Sequence, residues 1–247
     1  MKKVGIRLAM AAAALLTSIG VQAGVLRTTI TFDPVDTSTL IFPPALVYGD
    51  EFYQPGLGGR TMWLDPFSNS AVGGFGDLVG AVLNGACPDL GCPVNNASNY
   101  VAMLDDGVLA FGSTDGFTFS VQSVNASFIG SGDVMSTTPG YLALQGVRDG
   151  LATTAYFALT GLDANGQLNF GTIDTGAFGS YEFDVVYAFA YACKDSSAGP
   201  SCQAFSTNQA QFALDDIVIE HVPEPASLAL VGIAGLAVVG ARRRRAA

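Results

Sequence analysis

The chain has 247 residues, with 21 acidic and 11 basic side chains and a formal net charge of −10 at pH 7. Most bases lie at the two ends, so the region between residues 24 and 225 has four bases against all 21 acids and a formal charge of −17. Such a surface repels nucleic acid and anionic lipid headgroups, and it favours neutral or cationic partners. The simplest explanation is the solubility of an exported protein. The four bases are Arg27, Arg60, Arg148 and Lys194.

Residues 1–23 are predicted to be a secretory signal peptide. Lys2, Lys3 and Arg7 precede the apolar stretch LAMAAAALLTSIGV, and Val21-Gln22-Ala23 offers small or compact residues at the positions that a signal peptidase recognises. The alternative is a first membrane span, but the apolar stretch is short for one. We therefore expect cleavage by signal peptidase after Ala23 and export of the rest of the chain.

Residues 24–221 are predicted to form one all-β domain, an antiparallel β-sandwich of jelly-roll type. Glycines punctuate short runs rich in Val, Phe, Tyr, Thr and Ile, and no amphipathic helix is evident between the two ends. The clearest strand is Tyr181–Ala192, where aromatic and branched residues alternate with smaller or acidic ones, so we expect the aromatic side to be buried. The other predicted strands are Arg27–Phe32, Asn99–Leu104, Val108–Gly112, Phe117–Ser123, Tyr141–Val147, Thr153–Leu159 and Gln211–Glu220.

Turn residues separate these strands. Asp105-Asp106-Gly107 lies between two of them, and Asn165-Gly166 within Asp163–Gln167 is a strong hairpin signal. Asp163–Gln167 lacks the further acids and the closing Glu of an EF-hand, so we interpret it as a turn. The irregular stretches Asp65–Gly76 and Gly85–Ser98 are predicted to be loops, which commonly carry binding sites.

The four cysteines form two close pairs, Cys87 with Cys92 and Cys193 with Cys202. In an exported protein, local pairs across Gly/Pro/Asp/Ser loops predict two small disulfide-closed loops. A zinc site is the alternative, but the spacings differ from the common patterns and the only histidine, His221, is distant in sequence.

Catalysis finds little support in the sequence, and we predict that the protein is not an enzyme. A single imidazole, His221 at the end of the domain, excludes a Ser-His-Asp or Cys-His arrangement in the body. Two carboxylates can cleave a glycosidic bond, and Glu51, Glu182 and Asp184 are candidates, but a chain with 21 acids always offers such pairs. Trp63 and Tyr53 are candidates for stacking on a sugar ring, with burial in the core as the alternative.

Residues 222–247 form a three-part tail. Its parts are the motif Val222, Pro223, Glu224 and Pro225, the apolar run Leu228–Ala241, and the cluster Arg242, Arg243, Arg244 and Arg245. As a helix the apolar run reaches about 21 Å at ~1.5 Å per residue, which is less than a hydrocarbon core of about 30 Å. It is therefore marginal as a permanent anchor and adequate as a transient one. The arginines are expected to stay in the cytoplasm, with the acidic body outside.

The order, spacing and terminal position of these parts resemble the PEP-CTERM sorting signal of Gram-negative bacteria. This resemblance implies recognition by an exosortase, a membrane-embedded transpeptidase-like enzyme, and processing near Val222–Pro225. It also implies release or attachment at the cell surface, in bacteria that make exopolysaccharide or biofilm matrix. An ordinary single-span anchor is the alternative.

The end of the body carries two further resemblances. Gln211–Asp215 is similar to the QFxxD signature of one PEP-CTERM subgroup, and Ala213–Glu220 is similar to the closing strand of many lectin-like, carbohydrate-binding jelly rolls. In such jelly rolls an Asp on this strand joins a structural calcium site with a residue from the first strand. The resemblance implies calcium at Asp215 or Asp216 with Asp33 or Asp36, since calcium needs several oxygen ligands. The alternative is that these carboxylates bond only to protein donors.

The sequence thus predicts a non-catalytic protein, secreted or at the cell surface, that is associated with an exopolysaccharide matrix and binds glycan. No cofactor is required, and calcium is considered only as a structural ion. The expected partners are signal peptidase, an exosortase, the membrane before processing, and extracellular polysaccharide, but not nucleic acid. The alternatives are a purely structural or adhesive envelope protein and a secreted glycan hydrolase.

Overall fold

A computed structural model of the chain describes residues 24–69, 74–85, 91–130, 138–194, 199, 201–205 and 209–221. The strands in these ranges are β1 (Leu26–Ile30), β2 (Ala45–Val47), β3 (Phe52–Pro55), β4 (Thr61–Ser68), β5 (Leu78–Asn84), β6 (Asn99–Met103), β7 (Gly107–Ser113), β8 (Ser120–Phe128), β9 (Gly140–Arg148), β10 (Leu151–Leu159), β11 (Gly171–Asp174), β12 (Val185–Lys194), β13 (Ser201–Gln203) and β14 (Phe212–His221). Short 3-10 helices occupy Thr37–Thr39, Leu57–Gly59 and Gly176–Ser180.

The strands form two sheets. In the first sheet the order is β11-β8-β14-β6-β5-β2, and β1 also pairs with β14. In the second sheet the order is β10-β9-β12-β7-β4-β3, and β13 also pairs with β12. The long pairings in both sheets are antiparallel. The prediction of an all-β antiparallel sandwich is therefore confirmed.

The main core lies between the two sheets. It is built from alternate positions of their strands, for example Leu64 and Phe111 from the second sheet and Val101 and Leu214 from the first. Each such side chain contributes about 1.5–3 kcal/mol when fully buried, so this core is the chief source of stability. Contacts group residues 27–221 into one compact unit, the body of the protein.

The face of β12 that enters the core is the opposite of the predicted one. Val186 and the alanines that alternate with it lie in the core, whereas Tyr187, Phe189 and Tyr191 lie in a separate cluster on the outer surface of the second sheet. At the end of β12 the space is tight: a Cβ added at Gly140, the partner of Ala192, would come within 2.1 Å of the Tyr191 carbonyl and 3.0 Å of the Phe128 ring of the first sheet. Small side chains suit the inner face there.

Two local predictions are also corrected. Residues 65–68, predicted as the start of a loop, belong to strand β4. Asn165-Gly166 does form a turn, in which the N–H of Gly166 donates to the carbonyl of Asp163 at 3.0 Å. However, this turn lies between β10 and β11, which belong to different sheets, so it is part of a crossing connection and not of a hairpin.

The predicted signal peptide at 1–23 and the tail at 222–247 lie outside the described residues. Within the ranges that are described, the structure contains no helix of the length and apolarity that crossing a membrane requires.

Candidate functional site

The outer surface of the second sheet carries a shallow groove, which we call the outer groove. On β4, Met62 and Leu64 enter the core, so Trp63, Asp65 and Phe67 point outward as one wall. Tyr187, Phe189 and Tyr191 of β12 form the other wall. β7 runs between these walls and presents small residues to the same surface, since Ala110 pairs with both Asp65 and Tyr187, and Gly112 pairs with both Trp63 and Val185.

One end of the groove is a pocket around Trp63, with a volume of about 450 Å³. Tyr53 of β3 is paired with Trp63 in the sheet register and is 54% exposed. The indole of Trp63 lies against Gly112, where an added Cβ would come within 2.6 Å of the ring. A side chain at position 112 would therefore displace the ring, and the glycine lets Trp63 lie close to the sheet.

Two carboxylates stand beside these rings. Glu51 and Asp65 line the Trp63 pocket together with Tyr48 and Gly49. Burial, and secondly the negative charge of Glu51, raise the pKa of the Asp65 carboxyl above its ordinary value. A hydrogen bond to Glu51 raises the pKa of the Tyr53 hydroxyl. The pocket therefore combines the aromatic surface of Trp63 and Tyr48 with carboxylate hydrogen-bond acceptors, one of which is bonded to the Tyr53 hydroxyl.

Asp50 fixes the turn that carries part of this pocket. Its carboxylate is 3% exposed and accepts hydrogen bonds from the backbone N–H of Ile41 at 2.9 Å and of Val47 at 2.8 Å. Because two backbone donors would lose their partner without it, Asp50 is a structural residue that holds Tyr48 and Glu51 at the pocket.

Of the predicted calcium residues, Asp215 and Asp216 lie on β14 of the first sheet, and Asp33 lies in the turn that follows β1. Asp215 is 1% exposed, and its carboxylate accepts hydrogen bonds from Asn96 Nδ2 at 2.7 Å, Ser98 Oγ at 2.8 Å and the backbone N–H of Asp216 at 2.8 Å. Asp216 has a φ of +46° at an irregularity where the register of β14 against β8 shifts. This shift is what allows both Leu214 and Ile217 to enter the core.

The other carboxylates near Asp215 also have protein donors. Asp216 accepts a hydrogen bond from Asn125 Nδ2 at 2.9 Å, and Asp33 accepts one from the backbone N–H of Asn99 at 2.8 Å. Burial, and then the charges of Asp215 and Asp33, raise the pKa of Asp216. Among the described residues, no three His, Cys, Asp or Glu side chains lie close enough together to hold a metal ion. The calcium site therefore stays a prediction.

Asp36, the alternative first-strand ligand, instead caps a 3-10 helix. Its carboxylate accepts hydrogen bonds from the backbone N–H of Ser38 at 3.0 Å and from the Ser38 hydroxyl at 2.6 Å. These bonds lower the pKa of Asp36.

One predicted disulfide is confirmed, since Cys193 and Cys202 are bonded across β12 and β13. Cys92 is also disulfide-bonded, and its predicted partner Cys87 lies outside the described residues.

The three carboxylates named for a hydrolase are not brought together at the pocket. Glu182 lies in an ion pair with Arg148 at 3.2 Å and accepts a hydrogen bond from the Thr118 hydroxyl, while Asp184 accepts one from the backbone N–H of Asp149. Only Glu51 lines the Trp63 pocket, where its neighbour is Asp65. The sequence did not identify Asp65 or Gly112 as site residues. Asp65 could have been found by recognising Thr61–Ser68 as a strand, because alternation then places Trp63 and Asp65 on one face.

Comparison with known proteins identifies the tail. The PEP-CTERM protein-sorting motif matches residues 221–245, so the match includes only His221 of the body. No curated protein matches the chain. The motif implies export, a transiently membrane-anchored form, and processing by an exosortase to give a surface or secreted protein.

Proposed function

We propose that this exosortase-sorted protein is a non-catalytic glycan-binding protein of an extracellular polysaccharide matrix, and that the Trp63 pocket is its binding site. The observation that carries the proposal is the side-by-side exposure of Trp63 and Tyr53 next to Glu51 and Asp65. The apolar face of a sugar ring packs on aromatic rings. Neighbouring carboxylates accept hydrogen bonds from sugar hydroxyls and so fix the orientation of the ring.

The similarity of the closing strand to lectin-like jelly rolls belongs to this proposal, as does the QFxxD similarity at Gln211–Asp215. The proposed function requires no cofactor. The calcium site predicted at Asp33, Asp215 and Asp216 is independent of this proposal, because Asp215 and Asp216 lie on the first sheet and the Trp63 pocket lies on the second.

A glycan hydrolase is the second candidate, for one specific reason. The general acid of a glycosidase needs a raised pKa, as at the Asp65 carboxyl, and Glu51 is a second carboxylate in the same pocket. Incubation with each polysaccharide, followed by measurement of new reducing ends, separates the two candidates. If the original protein releases reducing ends and the Asp65→Asn variant does not, the function is hydrolysis and not binding.

Retention on polysaccharide tests the binding proposal. The protein recovered after export of the full chain is run through gels containing hydroxyethylcellulose, xyloglucan, galactomannan or dextran, with alginate as the anionic comparison. We expect Trp63→Ala to weaken binding to the polysaccharide that retains the original protein at least about tenfold, or ~1.4 kcal/mol, as for an aromatic anchor.

Tyr53→Ala and Tyr181→Ala form a matched pair of variants. The two tyrosines are 54% and 53% exposed, but only Tyr53 is paired with Trp63. Tyr53→Ala should weaken retention and Tyr181→Ala should not. If none of the polysaccharides retains the protein, or if all three variants are retained like the original protein, the glycan-binding proposal is wrong and the adhesive alternative takes its place.

A further inference from the structure

A second pocket lies on the same surface as the Trp63 pocket. It has a volume of about 380 Å³ and is lined mainly by Phe67, Tyr187, Phe189, Tyr191 and Phe205, with Gln145 at its side. The rings touch one another edge to face or tilted, with centroid distances of 6.2 Å between Phe67 and Tyr187 and 5.2 Å between Phe189 and Phe205. We call it the Tyr187 pocket.

The two pockets belong to one continuous groove. Phe67 contacts Tyr187 in the second pocket, and its other neighbour Tyr48, at 6.4 Å, lines the Trp63 pocket. Between the pockets, Ala110 and Gly112 are buried beneath the neighbouring side chains. The ring of Phe67, which has Tyr48 on one side and Tyr187 on the other, forms the surface that joins the two pockets. Tyr191 lies six positions along β12 from Val185, which is level with Trp63. At ~3.3 Å per residue this is about 20 Å, the length of several consecutive sugar rings.

The far end of the groove is built by an unusual local conformation. Phe205 has a φ of +60°, which is rare and costly for a bulky side chain. Its ring nevertheless packs on Phe189, two residues beyond the end of β13. The Cys193–Cys202 disulfide holds β13 against β12 and so keeps Phe205 at this position.

The charges along the groove exclude a polyanion as its ligand. Glu51 and Asp65 lie at one end, and none of the described residues that line the two pockets is basic. Three of the four bases of the body are engaged in ion pairs elsewhere, namely Arg27 with Glu220, Arg60 with Asp115, and Arg148 with Glu182. A uronate-rich or sulfated chain would meet only like charge here.

From this geometry we infer that the groove binds an unbranched, uncharged polysaccharide chain along its whole length, with the Trp63 and Tyr187 pockets as two subsites on one polymer. This inference rests on the proposed function and specifies its ligand. Aromatic pockets at both ends with the ring of Phe67 between them favour an extended chain over a single terminal sugar.

Binding measured against oligosaccharide length tests the inference. Disaccharide to hexasaccharide fragments are prepared from the best-retained of the neutral polysaccharides named above, and their Kd values are measured by calorimetry with the exported protein. The affinity should rise at least about tenfold from disaccharide to hexasaccharide as the second subsite is filled. Alginate fragments of the same lengths should not bind.

Two variants locate the effect. Tyr187→Ala should abolish the gain with length and leave disaccharide affinity unchanged, whereas Trp63→Ala should weaken binding at every length. Tyr191→Ala is the second variant of the same pocket, in case Tyr187→Ala lowers the melting temperature. Equal affinity for all lengths, or a gain with length that survives both Tyr187→Ala and Tyr191→Ala, overturns the two-subsite groove while the Trp63 site stands. No binding of any fragment by the original protein overturns the proposed function itself.

Discussion

Removal of the Cys193–Cys202 disulfide tests both the stability of the body and the structure of the outer groove. The two cysteines are nine residues apart in sequence. For a loop of this length the chain-entropy relation gives a loss of about 2.6 kcal/mol in the free energy of unfolding at 25 °C. In a domain of this size each kcal/mol shifts Tm by roughly 2–4 °C, so the Cys193→Ala, Cys202→Ala double variant should melt about 5–10 °C lower.

The same variant should also change binding. Without the disulfide, one fewer constraint holds Phe205 in its unfavourable backbone conformation at φ +60°. Its ring should therefore move away from Phe189. Affinity for the hexasaccharide should then fall toward that for the disaccharide, as in Tyr187→Ala. Thermal melts and calorimetric binding of the exported protein measure the two effects.

The Cys87→Ala, Cys92→Ala double variant is the control for this experiment. Cys92 packs with Tyr100 and Ala102 on the outer side of the first sheet, away from the groove. Its loop is shorter, so the same relation gives a slightly smaller loss of about 2 kcal/mol. An unchanged Tm in the Cys193→Ala, Cys202→Ala variant, or equal losses of hexasaccharide binding in both double variants, would show that this disulfide does not build the groove.

Further predictions concern the aspartates of the first sheet and the edge of the second. Asp215→Ala removes the acceptor of three hydrogen bonds and should cost about 3 kcal/mol or more of unfolding free energy in urea titrations, whereas Asp36→Ala, at an exposed cap, should cost less. Because these donors already satisfy Asp215, we expect equal Tm values in excess calcium and in chelator; a rise with calcium that Asp215→Asn removes would instead establish the calcium site. The pKa of Asp216 is raised in the folded state, so its contribution to stability is most favourable below the ordinary value of 3.8 and is lost as pH rises through the raised pKa. Asp216→Asn should therefore raise Tm at pH 7, and the gain should vanish below pH 3.8; a gain that persists there would contradict the titration argument. Strand β10, at one edge of the second sheet, has no charge or proline in LATTAYFAL, so the protein should self-associate with rising concentration in sedimentation experiments. Ala152→Lys should reduce this association, and an unchanged association would contradict pairing through β10.

Sequence periodicity predicts the regular strands well and misses those that depend on distant partners. β9, β10 and β14 have clear patterns and were predicted within two residues of their ends. β5 was missed because Gly80 interrupts its apolar run. The structure explains that glycine, since an added Cβ would come within 2.4 Å of the Ala102 carbonyl on the neighbouring strand. Such a constraint lies across the sheet and leaves no local signal.

The same limit applies to the groove. Alternation in β12 shows that the strand has two different faces, but which of them is inward depends on the space left between the two sheets, which the sequence of the strand does not contain. Trp63 and Tyr53 are recognisable as exposed aromatic candidates because they stand in a glycine- and proline-rich segment. Asp65 follows Trp63 on the same strand, but the position of Gly112 beneath the indole depends on pairing between β4 and β7, which brings together residues that are far apart in sequence. Sequence alone therefore suggested the anchor and not the groove.

The pairing of β1 with β14 has a mechanical consequence. Arg27 and Glu220 are 3.1 Å apart, so the first and last residues of the body leave it at one place, on the first sheet. If the processed protein stays attached to the cell through its C-terminus, tension enters at β14, which is hydrogen-bonded to β8 and β6 on its two sides. A polysaccharide in the outer groove would pull on β4, β7 and β12 of the other sheet. The load between cell and matrix would then cross the apolar core between the sheets, and the cohesion of that core would set the force at which the attachment fails.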